Sequence, residues 1–191
     1  MDAATLVMSM KTVIPRAKYA LPEMPLGRPM HVVDERLVRA PVKLMFRVAC
    51  DVENWPGYLS HYRRVRFRER TRDGGGLVEM AASRPFGPLA WPVWWESEMV
   101  VNQAAPAVRY RHVRGLTRGM DVEWTFAAES AFTRVRIVHA WNGPAWPLIG
   151  IFAASEVIGP IFIHGIASRT LDGLALVAER EHGNAGGRSA G

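Results

Sequence analysis

The chain contains one cysteine, Cys50. A single thiol excludes an internal disulfide framework and any centre built from several cysteines, such as a zinc ribbon or an iron–sulfur cluster. Without disulfides the compartment reads toward the cytoplasm. Histidines number six, and no two stand at close ligand spacing. A metal would need His112, His139 and a carboxylate to converge from separate strands, so none is expected. Lysine is scarce as well: Lys11, Lys18 and Lys43 are three of 24 basic residues, which leaves 21 arginines. A secretory leader is not expected either. Asp2 stands where a positive start belongs, and Lys11 and Arg16 follow the apolar stretch instead of preceding it. The glycines from Gly74 to Gly76 precede a strand pattern, not a helix, so they read as a hairpin turn and not a phosphate cradle.

What is present fits one globular domain: 191 residues, 49% hydrophobic and 22% charged, with a net charge of +6. Arginine favours fixed, planar, bidentate contacts. The placement of the charges decides what they mean. Residues 1–29 supply +2 and Arg188 another +1, so the domain between them carries +3. Residues 1–29, interrupted by Pro15, Pro22, Pro25 and Pro29, read as a flexible arm. Residues 30–181 form the domain, and the small, polar residues 182–191 read as a disordered tail.

Within the domain, His31 to Arg39 reads as a strand. A helix starts at Ala40-Pro41, and a second short one spans Asp51 to Tyr58. Six strand-like segments follow: Tyr62–Thr71, Leu77–Ser83, Trp91–Val101, Ala107–Arg114, Gly119–Ala127 and Thr133–Trp141. Leu148 to Ile158 reads as a short apolar helix broken at Gly159-Pro160. A long helix then runs to about Arg180, with Ile163, Ile166, Thr170, Leu174 and Val177 on one face. The expected architecture is α+β: a seven-stranded antiparallel sheet wrapped around the long C-terminal helix, with two short helices after the first strand.

Period-two alternation divides the strands into two faces. One carries Glu96, Glu98, Arg109, Arg111, Asp121, Glu123, Arg134 and Arg136, alternating in sign from strand to strand, and reads as the solvent face. Arg64, Arg66, Arg68 and Arg70 fall on the outer side of their strand, opposite Val65 and Phe67, and this solvated face is favoured over a nucleic-acid strip. The other face gathers Trp95, Ser97, Tyr110, His112, Arg114, Trp124, Phe126, His139 and Trp141. Large aromatics with a few convergent polar groups suit the lining of an apolar ligand pocket better than a plain core, which would favour Leu, Ile and Val.

His139 and His112 are the acid/base candidates, since an imidazole titrates near neutral pH. Arg114 and Arg118, at one strand–loop end, can polarise a carbonyl or hold a carboxylate. Tyr110 can donate to an enolate. Glu156 and His164 interrupt an apolar helical region and face either the cavity entrance or open solvent. The segment from Trp146 to Ala167 approaches the length of a spanning helix. Glu156, Gly159-Pro160 and His164 argue against spanning, which leaves transient contact with a membrane surface.

Several segments carry a family resemblance: Ala40-Pro41-Val42 with Phe46, Asp51-Val52-Glu53-Asn54-Trp55-Pro56, Tyr62 with Val65, Trp95-Glu96-Ser97-Glu98, Thr133-Arg134-Val135, and Arg169-Thr170-Leu171 with Leu174. Together they resemble the START-like (helix-grip, SRPBCC) superfamily, specifically its polyketide cyclase/dehydrase and lipid-transport group, over residues 31–181. The resemblance implies a long hydrophobic cavity between sheet and C-terminal helix. It also implies a small hydrophobic ligand: a polyketide, a quinone or a lipid. One reading is an aromatase/cyclase that enolises, closes a ring and loses water, with no cofactor. The other is a non-catalytic lipid or quinone carrier. No nucleic-acid partner is expected, and the oligomeric state is left open.

Overall fold

The computed structural model describes residues 19–86, 89–143 and 163–188, with side chains outside 84–91 and 187–188. Its strands are β1 (Met30–Val38), β2 (Tyr62–Arg70), β3 (Gly76–Phe86), β4 (Leu89–Asn102), β5 (Ala107–Gly115), β6 (Asp121–Glu129) and β7 (Phe132–Trp141). They form one antiparallel sheet in the order β1-β7-β6-β5-β4-β3-β2. β1 and β2 therefore lie at opposite edges. The chain crosses between them through α1 (Val42–Cys50), a 3-10 turn (Val52–Asn54) and α2 (Trp55–Tyr58). The long helix α3 (His164–Arg188) packs against β1, α1 and α2. This is the expected sheet around a long C-terminal helix.

Local chemistry sets these elements. Pro41 caps α1 with its ring already in the geometry of a helix start, and its carbonyl accepts from the Leu44 and Met45 amides. Met45, Phe46, Val48 and Ala49 bury one face of that helix. The buried Thr133 hydroxyl donates to the Ala40 carbonyl at 2.6 Å and ties the helix entry to β7. Ion pairs Arg36–Asp172 and Arg47–Glu181 fasten α3 to β1 and α1. Ala167, Thr170, Leu171, Leu174, Ala175 and Ala178 are its buried positions among the described residues.

The structure differs from the expectation in five places. The strands expected to stop at Ser83 and start at Trp91 instead extend to Phe86 and from Leu89, with Phe86 in register with Leu89. β2 reaches only Ala82 of β3, and β5 reaches only Trp95 of β4. Pro85 and Pro92 thus sit in an overhanging two-stranded ribbon, where each strand has one open edge and a missing N–H is tolerated.

α3 continues to Arg188, past the expected end near Arg180. Residues 182–186 are exposed on it, and elongation from an established helix needs only one new hydrogen bond per residue. Residues 19–29, expected as part of a flexible arm, make contact with the outer face. The Tyr19 hydroxyl donates to Glu69 at 2.6 Å, and Arg109 donates to the Pro22 carbonyl.

The outer face is not simply solvated. Glu79, Glu96 and Asp121 on it are buried, and the arginines that cover them are the exposed partners. Finally, irregular register at Phe67/Glu69 returns Arg70 to the other side, where it pairs with Glu53 at 2.5 Å and lies over the Phe67 ring. The apolar segment Leu148–Ile158, its break at Gly159-Pro160, and Glu156 lie outside the described residues. No described helix is long and apolar enough to cross a membrane.

Candidate functional site: a neutral aromatic cavity

A cavity of about 80 Å³ lies between the inner sheet face and the start of α3, several times the ~10–15 Å³ that holds one water. The sheet, the loop after β5 with Leu116, Thr117 and Met120, α2 and the start of α3 build it. β4 to β7 supply Trp95, Tyr110, Val122, Trp124 and His139, along with His112. α2 supplies Trp55, and β2 supplies Tyr62. Ile163 contributes from just before α3, and the first turns of α3 supply Ile166, Ala167 and Thr170.

The sheet register fixes the polar groups. Tyr110 faces Val122 across β5 and β6, and Val122 faces His139 across β6 and β7, so the phenol and the imidazole share one cross-strand row. His112 lies two residues beyond Tyr110 on the same face. An aromatic chain runs across the cavity. His112 stacks on Trp95 with centroids 5.8 Å apart, Trp95 meets Tyr62 edge-on at 6.1 Å, Tyr62 meets Trp55 at 5.3 Å, and Trp55 meets Trp124 at 5.9 Å.

Gly115 makes the first of these contacts feasible. It lies opposite Trp95 with φ +92°, and a Cβ there would stand 2.3 Å from the Trp94 carbonyl oxygen. Only glycine fits both the backbone angle and the close approach.

Burial removes the charges from this space. It holds His139 down to about 3 and, with a further push from His139, does the same to His112, so both imidazoles are neutral near neutral pH. Burial also drives the Tyr62 phenol up to about 12 and Tyr110 well above the ordinary tyrosine range. Thr117 bonds the Nδ1 of His112 at 2.6 Å. The buried Nδ1 of His139 has no partner among the described residues. No carboxylate, lysine or arginine belongs to the described lining.

The expected site residues separate accordingly. His139, His112, Tyr110, Trp95 and Trp124 line the cavity together. Ser97 and Phe126 are buried on the same face but outside the lining, Phe126 against Phe46 and Trp124. Trp141 is buried too, and its indole donates to the Arg118 carbonyl at 2.9 Å, so it braces the loop after β5 and does not line the space. The Arg118 side chain itself is exposed.

Arg114 is a correction. The register shift between Glu96 and Ser97 makes Val113 an extra residue and reverses the alternation. Arg114 is 70% exposed on the outer face, 3.7 Å from Glu96. His164 is also displaced from its expected role: it pairs at 2.5 Å with Asp34, a buried β1 carboxylate, and lies outside the lining.

Trp55, Tyr62, Thr117 and Thr170 were missed as lining residues, because they come from a short helix, a strand edge, a loop and a helix that meet only in the folded chain. The sequence signal for three of them is the family-like segments that contain Trp55, Tyr62 and Thr170.

Residues 38–155 match the family described as polyketide cyclase / dehydrase and lipid transport. A Streptomyces halstedii protein named "Putative polyketide cyclase" is 32% identical over 98 residues, 50% of this chain and 86% of that one. The fold is similar to the Zhui aromatase/cyclase of Streptomyces sp. R1128, with a TM-score of 0.62 at 20% identity over 78% of this chain and 93% of that one. It is similar also to a START superfamily protein of Mycobacterium smegmatis, with a TM-score of 0.57 at 13% identity over 81% and 98% of the two chains. The chain therefore belongs to the polyketide cyclase/dehydrase and lipid transport family, on the START-like helix-grip fold.

Proposed function

We propose that this chain binds a polyketide-like ligand in its aromatic cavity and promotes ring closure followed by loss of water, as a cytoplasmic protein. The observation that carries the reading is the unpartnered, buried Nδ1 of neutral His139 within an aromatic cavity. A β-dicarbonyl segment has an acidic carbon between its two carbonyls. His139 Nδ1 takes a proton from that carbon. A hydrogen bond from the Nε2–H of His112, whose Nδ1 is held by Thr117, stabilises the enolate oxygen. The enolate carbon then attacks a second carbonyl, the new alkoxide recovers the proton from His139, and elimination releases water. Tyr110, fully protonated, is a further donor to the oxygen that gains charge.

A specific observation favours the carrier reading. An imidazole held at about 3 is a weak base near neutral pH, because efficient bases titrate near the working pH. In addition, Trp94 and Leu116 at the lining are 40% and 43% exposed, as a mouth that hands over an apolar ligand would be.

Turnover decides between them. With a reactive poly-β-ketone as substrate, His139→Ala is expected to lower the cyclisation rate about 100-fold while ligand affinity stays within a few-fold. An unchanged rate in both His139→Ala and His112→Ala overturns the catalytic reading and leaves the carrier.

A further inference from the structure

The first turn of α3 forms one wall of the cavity, and its own sequence holds it weakly. Gly165 follows His164 there, and glycine is the poorest helix former after proline. No acidic residue stands in that turn to meet the positive end of the helix. The fastening comes from β1. Asp34 shares the inner face of that strand with Met30, Val32 and Val38, and it stands opposite the buried Ile137 of β7. Its side chain is 3% exposed, which is costly for a carboxylate without a counter-charge. Among the described residues its oxygens meet no backbone amide, and its counter-group is the His164 imidazole, with Nδ1 2.5 Å from Oδ1. Burial pushes the Asp34 carboxyl up, and His164 draws it back.

A second pair between β1 and α3 gives the contrast. Arg36 and Asp172 are both far more exposed than Asp34, and Asp172 lies beyond Thr170, the last α3 residue of the described lining. His164 stands between Ile163 and Ile166, which both line the cavity. We infer that Asp34 and His164 are positioning residues that form a latch, holding residues 163–167 against the cavity and setting how fast a ligand leaves. Lifting that turn separates the pair and strands a buried carboxylate, so the cost of opening falls on this part of the wall. The inference rests on the cavity being the ligand site.

The test uses N-phenylnaphthylamine, an uncharged fluorescent apolar compound, bound to the full chain near neutral pH and released by rapid dilution. Amide hydrogen exchange is read in parallel at residues 168–171, whose N–H groups bond back into the first turn, and in β6 as the reference. The decisive variant combines Asp34→Asn with His164→Ala, because it leaves no buried charge unpaired. It is expected to release the compound about tenfold faster and to raise exchange at 168–171 about as much, with β6 unchanged. Asp34→Asn alone keeps an acceptor for the imidazole, and about a threefold acceleration is expected. Asp172→Asn should leave release within about twofold of the wild type.

Unchanged release in the combined variant overturns the latch while leaving the cavity reading intact. Exchange that rises in β6 as much as at 168–171 marks a general loss of stability and overturns it as well. Acceleration by Asp172→Asn equal to that of the combined variant overturns the assignment to Asp34 and His164. Failure of the compound to bind the wild type overturns the cavity reading and the inference with it.

Discussion

The two faces of the sheet treat polar groups in opposite ways. On the outer face the charges are kept and satisfied inside the protein. Glu79 and Glu96 stand directly opposite each other on β3 and β4, an arrangement that like charges make unfavourable. Arg64, Arg66 and Arg68 close on Glu79 at 2.6–3.1 Å, and Arg68 and Arg114 approach Glu96. Burial pushes Glu79 up, but the hydrogen bonds from Arg66 and Arg68 outweigh it and hold the carboxyl below its ordinary range. On the inner face burial wins, because no opposite charge is present among the described lining residues, so the same physical penalty leaves neutral histidines and protonated tyrosines. Five of the arginines, Arg64, Arg66, Arg68, Arg111 and Arg114, thus cover buried carboxylates. Within the cavity, the buried Nδ1 of His139 is left open.

The comparison can be broken most severely at Gly115, where the backbone of β5 touches that of β4. Gly115→Ala is expected to cost about 2 kcal/mol or more. It should also push Trp95 off His112, measured as a drop in denaturant midpoint with a changed tryptophan emission.

Acid should separate the two faces. Both imidazoles sit at about 3 in the fold against an ordinary 6.5, so the unfolded chain binds more protons between those values. Stability is therefore complete above about 6.5 and falls as the pH drops toward 3. Glu79, held below 4.5, withdraws its stabilisation only as the pH falls through its lowered value. Thermal unfolding of a His112→Gln, His139→Gln double variant should lose less stability than the wild type between pH 6.5 and 4.5. An identical slope would show that these histidines are not buried neutral.

A smaller effect is expected from Glu79→Gln. It should cost about 1–2 kcal/mol, since its arginine partners are half exposed and water screens them. Ligand affinity should not move. The smallest belongs to Arg114→Ala: a stability change within about 0.5 kcal/mol and unaltered ligand binding. A clear loss of binding there would return Arg114 to the site.

Alternation made much of the inner face legible. Trp95, Tyr110, His112, Trp124 and His139 keep strict period two within their strands, so their common side follows from spacing alone. Arg114 and Arg70 escaped the same rule because one extra residue in a strand reverses every side chain beyond it, and no composition signal marks that residue. The burial of Glu79 was equally invisible. It depends on three arginines of the neighbouring strand folding over it, a cross-strand property.

By itself, the sequence determined the order of elements, the antiparallel sheet with its long C-terminal helix, and the aromatic, histidine-bearing character of one face, because these follow from local periodicity and turn chemistry. Tertiary structure alone decided that Trp55, Tyr62 and Thr170 meet the histidines, that Trp141 braces a loop instead of lining the cavity, and that the imidazoles are neutral. Convergence, close backbone approach and desolvation are properties of packed neighbours far apart in the chain.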